Sequence, residues 1–146
     1  MDRTQIGQWV GERRKLLGLT QSDLGSKLSY TPQAISLIEQ GKSSLLISTL
    51  YPLAEVLRCS PEDVLSCNPA PSPEYRIYEF SQERFSFNLR RYRRKLGLKQ
   101  NDLAAQLGIS SRTLRTYEKD KATPSIELVC RFLEIVGIEL IDLERE

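Results

Sequence analysis

Between Phe85 and Lys121 the chain carries ten Lys and Arg against three Asp and Glu, a local charge of +7 in a protein whose formal charge is +2. A cationic stretch of this density is chemistry for holding a polyanion. The charge is unevenly shared. Residues 1–66 hold seven basic and seven acidic side chains, residues 67–84 two and three, and residues 85–146 twelve and nine.

The other reactive residue types exclude more than they offer. The sequence has no histidine, which removes the commonest general base and the usual zinc spacings. Three cysteines, Cys59, Cys67 and Cys130, do not make a disulfide framework and read as buried or incidental thiols of a reducing compartment. There is no nucleophile elbow, phosphate-binding glycine loop or clustered carboxylate motif. Neither an enzyme nor a metal or cofactor site is expected. No apolar run approaches a membrane span, and "MDRTQIGQWVGERR" at the N-terminus lacks the apolar core of a secretory signal. A cytoplasmic protein with no membrane partner is expected.

The elements that would position the cationic residues are announced by a repeat. "LGLTQSDL" at 17–24 recurs as "LGLKQNDL" at 96–103. A shift of 79 positions also superposes Arg14 on Arg93, Leu28 on Leu107, Glu39 on Glu118, Lys42 on Lys121, Ile47 on Ile126 and Asp63 on Asp142. Two copies are too few for a solenoid and fit two small domains.

Each copy reads as a series of short helices. In the first, helices are expected over about Thr4–Leu17, Gln21–Leu28 and from Pro32 to Gly41, with Thr20 and Thr31 as N-caps and Gly18 and Gly41 as stops. Pro52 predicts a fourth helix starting late, at a Thr49 cap, so that the proline falls in the first turn. "SPED" at 60–63 opens a fifth. The second copy predicts helices over about Gln82–Leu96, Gln100–Leu107, Ser111–Lys119 and Ile126–Val136. Leu19, Leu98 and Leu96 are expected inside, and Trp9 reads as helix packing. Prolines 69, 71 and 73 mark an extended linker. The aromatic "YRIYEF" (75–80) and the tail "IELIDLERE" are expected to form short strands, the tail at 138–144 with the capacity to pair with a second chain.

"RRKLLGLTQSDLGSKLSYTPQAISLIEQGK" at 13–42 and "YRRKLGLKQNDLAAQLGISSRTLRTYEKDK" at 92–121 resemble the helix-turn-helix domain of the lambda-repressor/Cro (XRE) family. The resemblance implies a mainly α fold: two lambda-repressor-like domains of four to five helices each, at 1–66 and 81–146, joined by the Pro-rich linker 67–80. It implies a bacterial or phage regulator, most simply a repressor, whose partner is double-stranded DNA and whose third helix in each copy enters the major groove. Gln21 and Gln100, at the start of the second helices, are implied phosphate or base contacts. Arg14 with Glu39, and Arg93 with Glu118, match a family ion pair that positions the third helix.

On that resemblance the second copy presents Ser111, Arg112, Thr113, Arg115 and Thr116 to base edges, with Lys119, Lys121 and Thr123 beside phosphate. Arg112 or Arg115 suits guanine, a bidentate pairing. The first copy presents Pro32, Gln33, Ala34, Ser36 and Leu37, with Lys42 as its phosphate contact. Gln33 suits adenine and Leu37 a thymine methyl, yet this face has no positive charge. The rival expectation follows: a module whose N-terminal copy binds another protein, DNA binding being auxiliary. Arg90 to Lys95 is taken as a solvated helix face. The connector from Ser66 to Ser81, about 16 residues, spans roughly 50 Å when extended, enough to set two readers on unlike half-sites about 34 Å apart.

Overall fold

Short polar side chains that accept from the backbone set most of the helix starts in the computed structural model, which describes residues 2–72 and 79–144. α1 (Arg3–Leu16) begins where the Asp2 carboxylate accepts the Gln5 N–H at 2.8 Å. α2 (Gln21–Leu28) begins at Thr20, whose hydroxyl accepts the Asp23 N–H at 3.0 Å while Asp23 accepts the Thr20 N–H at 2.9 Å. α3 (Pro32–Glu39) begins at Thr31, with Pro32 where the missing donor costs nothing. α4 (Ile47–Val56) follows, and α5 (Pro61–Ser66) repeats the Thr20 arrangement at Ser60 and Asp63.

The chain then divides into two units between Glu79 and Phe80. In the C-terminal unit, α6 (Gln82–Lys95), α8 (Ser111–Glu118) and α9 (Ile126–Val136) are capped by Ser81, Ser110 and Ser125. α7 (Gln100–Leu107) follows Lys99, which supplies no side-chain cap. A short 3-10 helix, η1 (Leu140–Leu143), ends the described chain.

In the N-terminal unit α3 packs against α1 and α2, and α4 against α2 and α5, around Ile6, Val10, Leu24, Ile35, Leu50, Leu53 and Leu57. In the C-terminal unit α8 packs against α6 and α7, α9 against α7, and η1 against α6, around Phe85, Leu89, Leu103, Leu107, Leu114 and Phe132.

Two expectations are corrected. α4 starts at Ile47, not after Thr49, and Pro52 sits inside it. Pro52 is exposed, so its ring faces solvent, while Ile47 and Leu50 are both 0% exposed. Burying those two side chains, at about 1.5–3 kcal/mol each, outweighs the roughly 3 kcal/mol of an interior proline.

The tail at 138–144 is not a strand: Leu140 and Leu143, three apart on η1, are buried in the core of their own unit. Asn88 Nδ2 donates to the Leu143 carbonyl at 2.8 Å and Arg84 to that of Glu144 at 3.3 Å. Of the strand expected at 75–80, residues 75–78 lie outside the described residues and 79–80 carry no strand. Leu96, expected inside, is 49% exposed, and Leu19 and Leu98 are half-buried.

The duplication is preserved at the level of backbone torsion. Left-handed residues fall at matching positions: Gly18 and Gly97, Ser29 and Gly108, Gly41 and Asp120, Arg58 and Gly137. The side chain has changed in three of these pairs while the torsion has not, because each ends a helix. Likewise Asp63 and Asp142 take equivalent bonds, from Ser60 N–H at 3.0 Å and from Glu139 N–H at 2.9 Å.

Burial works to raise the pKa of the Asp63 carboxyl. Hydrogen bonds from Asn68 and from the Ser60 N–H and hydroxyl, with the charge of Arg13, outweigh it, and the net displacement is downward. A folded value below the unfolded one gives stability that is present above the ordinary aspartate range, near about 3.9. That stability is lost as pH falls through the lower folded value. An Asp63→Asn chain is therefore expected to lose less of its thermal midpoint than the unaltered chain on going from about pH 6 to about pH 2.5. Parallel losses in a melting series would show that Asp63 carries none of the acid sensitivity.

Candidate nucleic-acid interface

The third helix of each unit is held by the same buried ion pair. Arg14 donates from Nε and Nη2 to Glu39 at 2.8 and 2.9 Å, and its Nη1 reaches the Leu19 carbonyl at 2.8 Å. Arg93 does the same to Glu118, at 2.8 and 3.0 Å, and to the Leu98 carbonyl at 2.9 Å. A fork-to-fork pair fixes direction as well as distance. The hydrogen bond to Glu39, opposed by burial, holds Arg14 more firmly protonated than a free arginine.

The pair thus clamps α1 to α3 and α6 to α8. The helix approach itself differs between copies. A Cβ on Gly7 would lie 2.2 Å from the Ile38 carbonyl oxygen. At the matching position Ser86 is buried and donates its hydroxyl to the Tyr117 carbonyl at 2.7 Å.

Gln21 and Gln100, at the first turn of the second helices, are half-buried and join the same cluster. The Gln21 amide donates to Glu39 at 3.4 Å and the Gln100 amide to Glu118 at 3.1 Å. Their nitrogens are engaged in positioning the third helix, while the amide carbonyls and first-turn N–H groups remain on the helix start.

On α8 the guanidinium groups of Arg112 and Arg115 are exposed, as are Lys119 and Lys121 just beyond it. Arg112, Arg115 and Lys119 recur at three- and four-residue intervals and so share a face. Neither arginine is paired with a carboxylate among the described residues. Leu114 and Glu118 occupy the opposite, buried side.

Ser111, Thr113, Thr116 and Thr123 are half-buried. Three of these hydroxyls are already engaged: Thr113 with Ser110 at 2.9 Å, Thr116 donating to the Arg112 carbonyl at 2.9 Å, and Thr123 donating to Gln82 at 2.9 Å. Gln82, which sequence reasoning did not single out, also donates to the Ala122 carbonyl at 3.0 Å and so anchors the segment after α8 to α6. Nothing local in the sequence signals a contact across 40 residues.

α3 offers a different face. Pro32, Gln33 and Leu37 are exposed, Leu37 to 44%, with Ala34 and Ser36 half-buried and the Ser36 hydroxyl accepting from Gln40 at 2.8 Å. Lys42 is exposed, and its N–H closes the helix end on the Leu37 carbonyl at 2.9 Å. Lys121 closes α8 in the same way on Thr116 at 3.1 Å. One scaffold therefore presents a cationic helix in one unit and a neutral, leucine-bearing helix in the other.

The thiols offer no competing chemistry. Burial pushes Cys59 up to about 12 and Cys130 up to about 11, and raises Cys67 as well. All three stay protonated and poorly nucleophilic at neutral pH. Among the described residues no three or more Cys, Asp or Glu gather as a metal cage, and no helix is long and apolar enough to cross a membrane.

A three-helix frame, α1 to α3 and again α6 to α8, with the third helix exposed along one side and pinned by an ion pair on the other, defines a tandem helix-turn-helix protein. The helix-turn-helix family model matches twice, at residues 10–64 and 89–143. The chain belongs to that family, of lambda-repressor/Cro type, whose members bind DNA.

It is similar to an uncharacterized HTH-type transcriptional regulator of Methanocaldococcus jannaschii, 36% identical over 55 residues, which are 38% of this chain and 83% of that one. It is also similar to an uncharacterized HTH-type transcriptional regulator of Methanothermobacter thermautotrophicus, 35% identical over 54 residues, 37% of this chain and 78% of that one. Each relative is thus about one such domain long, where this chain carries two. No solved structure matches the chain significantly.

Proposed function

We propose that the chain is a cytoplasmic transcriptional repressor that occupies an operator. In this reading the domains at 1–66 and 81–146 each set a third helix in the major groove, and the connector 67–80 lets them take two adjacent, unlike half-sites. The observation that carries it is the exposed, unneutralised pair Arg112 and Arg115 on a helix locked from behind by Arg93 and Glu118. Guanidinium groups so placed suit guanine edges, with Lys119 and Lys121 on flanking phosphates. Gln33 and Leu37 read the second half-site with less charge and lower affinity. Tethering offsets that weakness by keeping the second contact at a high effective concentration.

The connector is partly fixed at its start. Trp9 Nε1 donates to the Asn68 carbonyl at 2.9 Å. Counted beyond Asn68, the sequence up to Ser81 is shorter by a few residues than the whole connector, and its maximal reach at roughly 3.1 Å per residue still equals about one helical turn of duplex. With Leu140 and Leu143 buried in their own unit, one chain carrying both readers is favoured over pairing through the tail.

Selection of bound duplexes from a random library tests the proposal. The expected yield is two dissimilar motifs with centres about 10 base pairs apart, the G-containing one assigned to α8. Failure to enrich any sequence would overturn it.

A second reading is favoured by one observation, the exposure of Leu37 beside Pro32 on a face with no cation. In it α3 binds another protein, and the library then yields the α8 motif alone.

A further inference from the structure

α6 bears a cationic ridge that the helix-turn-helix reading does not use. Arg90, Arg91, Arg94 and Lys95 lie on it; Arg91, Arg94 and Lys95 are exposed and Arg90 is half-buried. The N-terminal copy has Gly11, Glu12, Lys15 and Leu16 at these positions, so the ridge belongs to the C-terminal copy alone. The guanidinium of Arg90 lies 6.0 Å from the ring centre of Phe87, itself 49% exposed, and neither Arg90 nor Arg94 is paired with a carboxylate among the described residues.

The ridge has two sides. Ser86 and Arg93 mark the flank of α6 that meets α8, through the Tyr117 carbonyl and the Glu118 carboxylate. At about 100° per residue, Arg90 projects roughly 40° and Arg94 roughly 80° from Ser86, whereas Arg91 and Lys95 project roughly 140° and 180° away.

The N-terminal copy locates the Arg90 position independently. A Cβ on its counterpart Gly11 would lie 2.8 Å from Glu39 Oε1, the atom that accepts from Gln21. In the C-terminal copy that atom is Glu118 Oε1, which accepts from Gln100 at the start of α7. Arg90 therefore leaves α6 beside the cluster that joins the α7 start to α8.

We propose that Arg90 and Arg94 are phosphate contacts of the C-terminal domain, gripping the backbone of the same duplex whose major groove α8 enters. Arg91 and Lys95 face away and take no part. The inference rests on the DNA-reading proposal above, and continuity with the α7–α8 face is what selects a nucleic-acid backbone over an acidic protein segment. Backbone contacts carry no sequence information. They release counterions, at a cost in log–log salt slope of about 0.9 per phosphate. They would also make the C-terminal domain the anchoring one, with the charge-poor N-terminal copy choosing among sites.

The test is a salt titration of the full chain on its selected duplex. Arg90→Gln/Arg94→Gln is expected to flatten the slope of log affinity against log salt by roughly 2 units and to leave the preferred sequence unchanged. Arg90→Lys/Arg94→Lys is expected to keep the slope. Arg91→Gln/Lys95→Gln, matched in charge, is expected to keep it too, and circular dichroism checks that each chain is folded.

An unchanged slope in the Arg90/Arg94 variant overturns the proposal, as does an equal loss in the Arg91/Lys95 variant, which would mean diffuse attraction. If the unaltered chain binds no duplex at all, the DNA-reading proposal falls and takes this one with it. If the unaltered chain binds and the slopes coincide, this proposal alone is lost.

Discussion

Replacing Glu118 with alanine is expected to cost about 3–5 kcal/mol of stability in the C-terminal domain, the range for removing one partner of a buried ion pair. Glu118 is 1% exposed and Arg93 8%. Without the carboxylate, the Arg93 guanidinium keeps a single acceptor, the Leu98 carbonyl, and Gln100 loses its partner as well. A charge in that setting cannot recover its hydration without opening the α6–α8 contact. A domain of this size has a total stability on the order of 5 kcal/mol, so a remainder of about 0–2 kcal/mol leaves between a few per cent and about half of the population unfolded at ordinary temperature.

The matching Glu39→Ala change should cost less. Its side chains are 8% and 11% exposed against 9% and 1%, so water reaches the acceptor side of the pair. Urea unfolding of the two variants of the full chain gives the comparison directly. A loss below about 1 kcal/mol for Glu118→Ala would mean that the pair is incidental to the fold and that α8 is held by packing alone. A conservative Glu118→Gln change separates the two contributions, since it keeps an acceptor for Arg93 while removing the charge.

The features written locally in the sequence were legible from it. Thr20, Thr31, Ser60, Ser110 and Ser125 cap the helices that follow them because a hydroxyl and an N–H three residues on are enough to define a start. Sequence and structure part where a local rule meets a distant one. At Pro52 the cost of an interior proline pointed to a late helix start, but the burial of Ile47 and Leu50 decides the matter. The repeat already held the answer, since Ile47 superposes on Ile126, where α9 starts.

The tail repeats the lesson. Its alternating pattern suggested a strand, yet Asp142 superposes on Asp63, and both close the first turn of a short helix. On the candidate interface the outward placement of the α8 arginines was implied by the family resemblance, and both are exposed. The engagement of Gln100 with Glu118 and of Thr123 with Gln82 was not, because each partner lies on another element.

Loss of both Arg112 and Arg115 to alanine is expected to weaken operator binding by at least about thirty-fold while leaving the fold intact. The two side chains are exposed, lie three residues apart and are not among the buried residues that build the domain. A guanine contact is worth about 1–3 kcal/mol, so two would account for roughly 2–6 kcal/mol, or about thirty-fold to twenty-thousand-fold in affinity. A Gln33→Ala/Leu37→Ala change in α3, where Gln33 superposes on Arg112 and Leu37 on Thr116, removes one amide and one apolar side chain and no charge. Its effect on affinity should be smaller, and it should leave the salt slope where it was.

A gel-shift titration of the three chains at two salt concentrations reads both quantities. Unchanged DNA affinity in the arginine variant, with the circular dichroism of a folded chain, would remove α8 from the groove. A large loss in the α3 variant alone would invert the proposed hierarchy and make the neutral helix the principal reader. The asymmetry between the two results is the decisive quantity. The same fork-to-fork pair and N-terminal cap hold both third helices, so the residues they turn outward are the main source of any difference in how much each contributes.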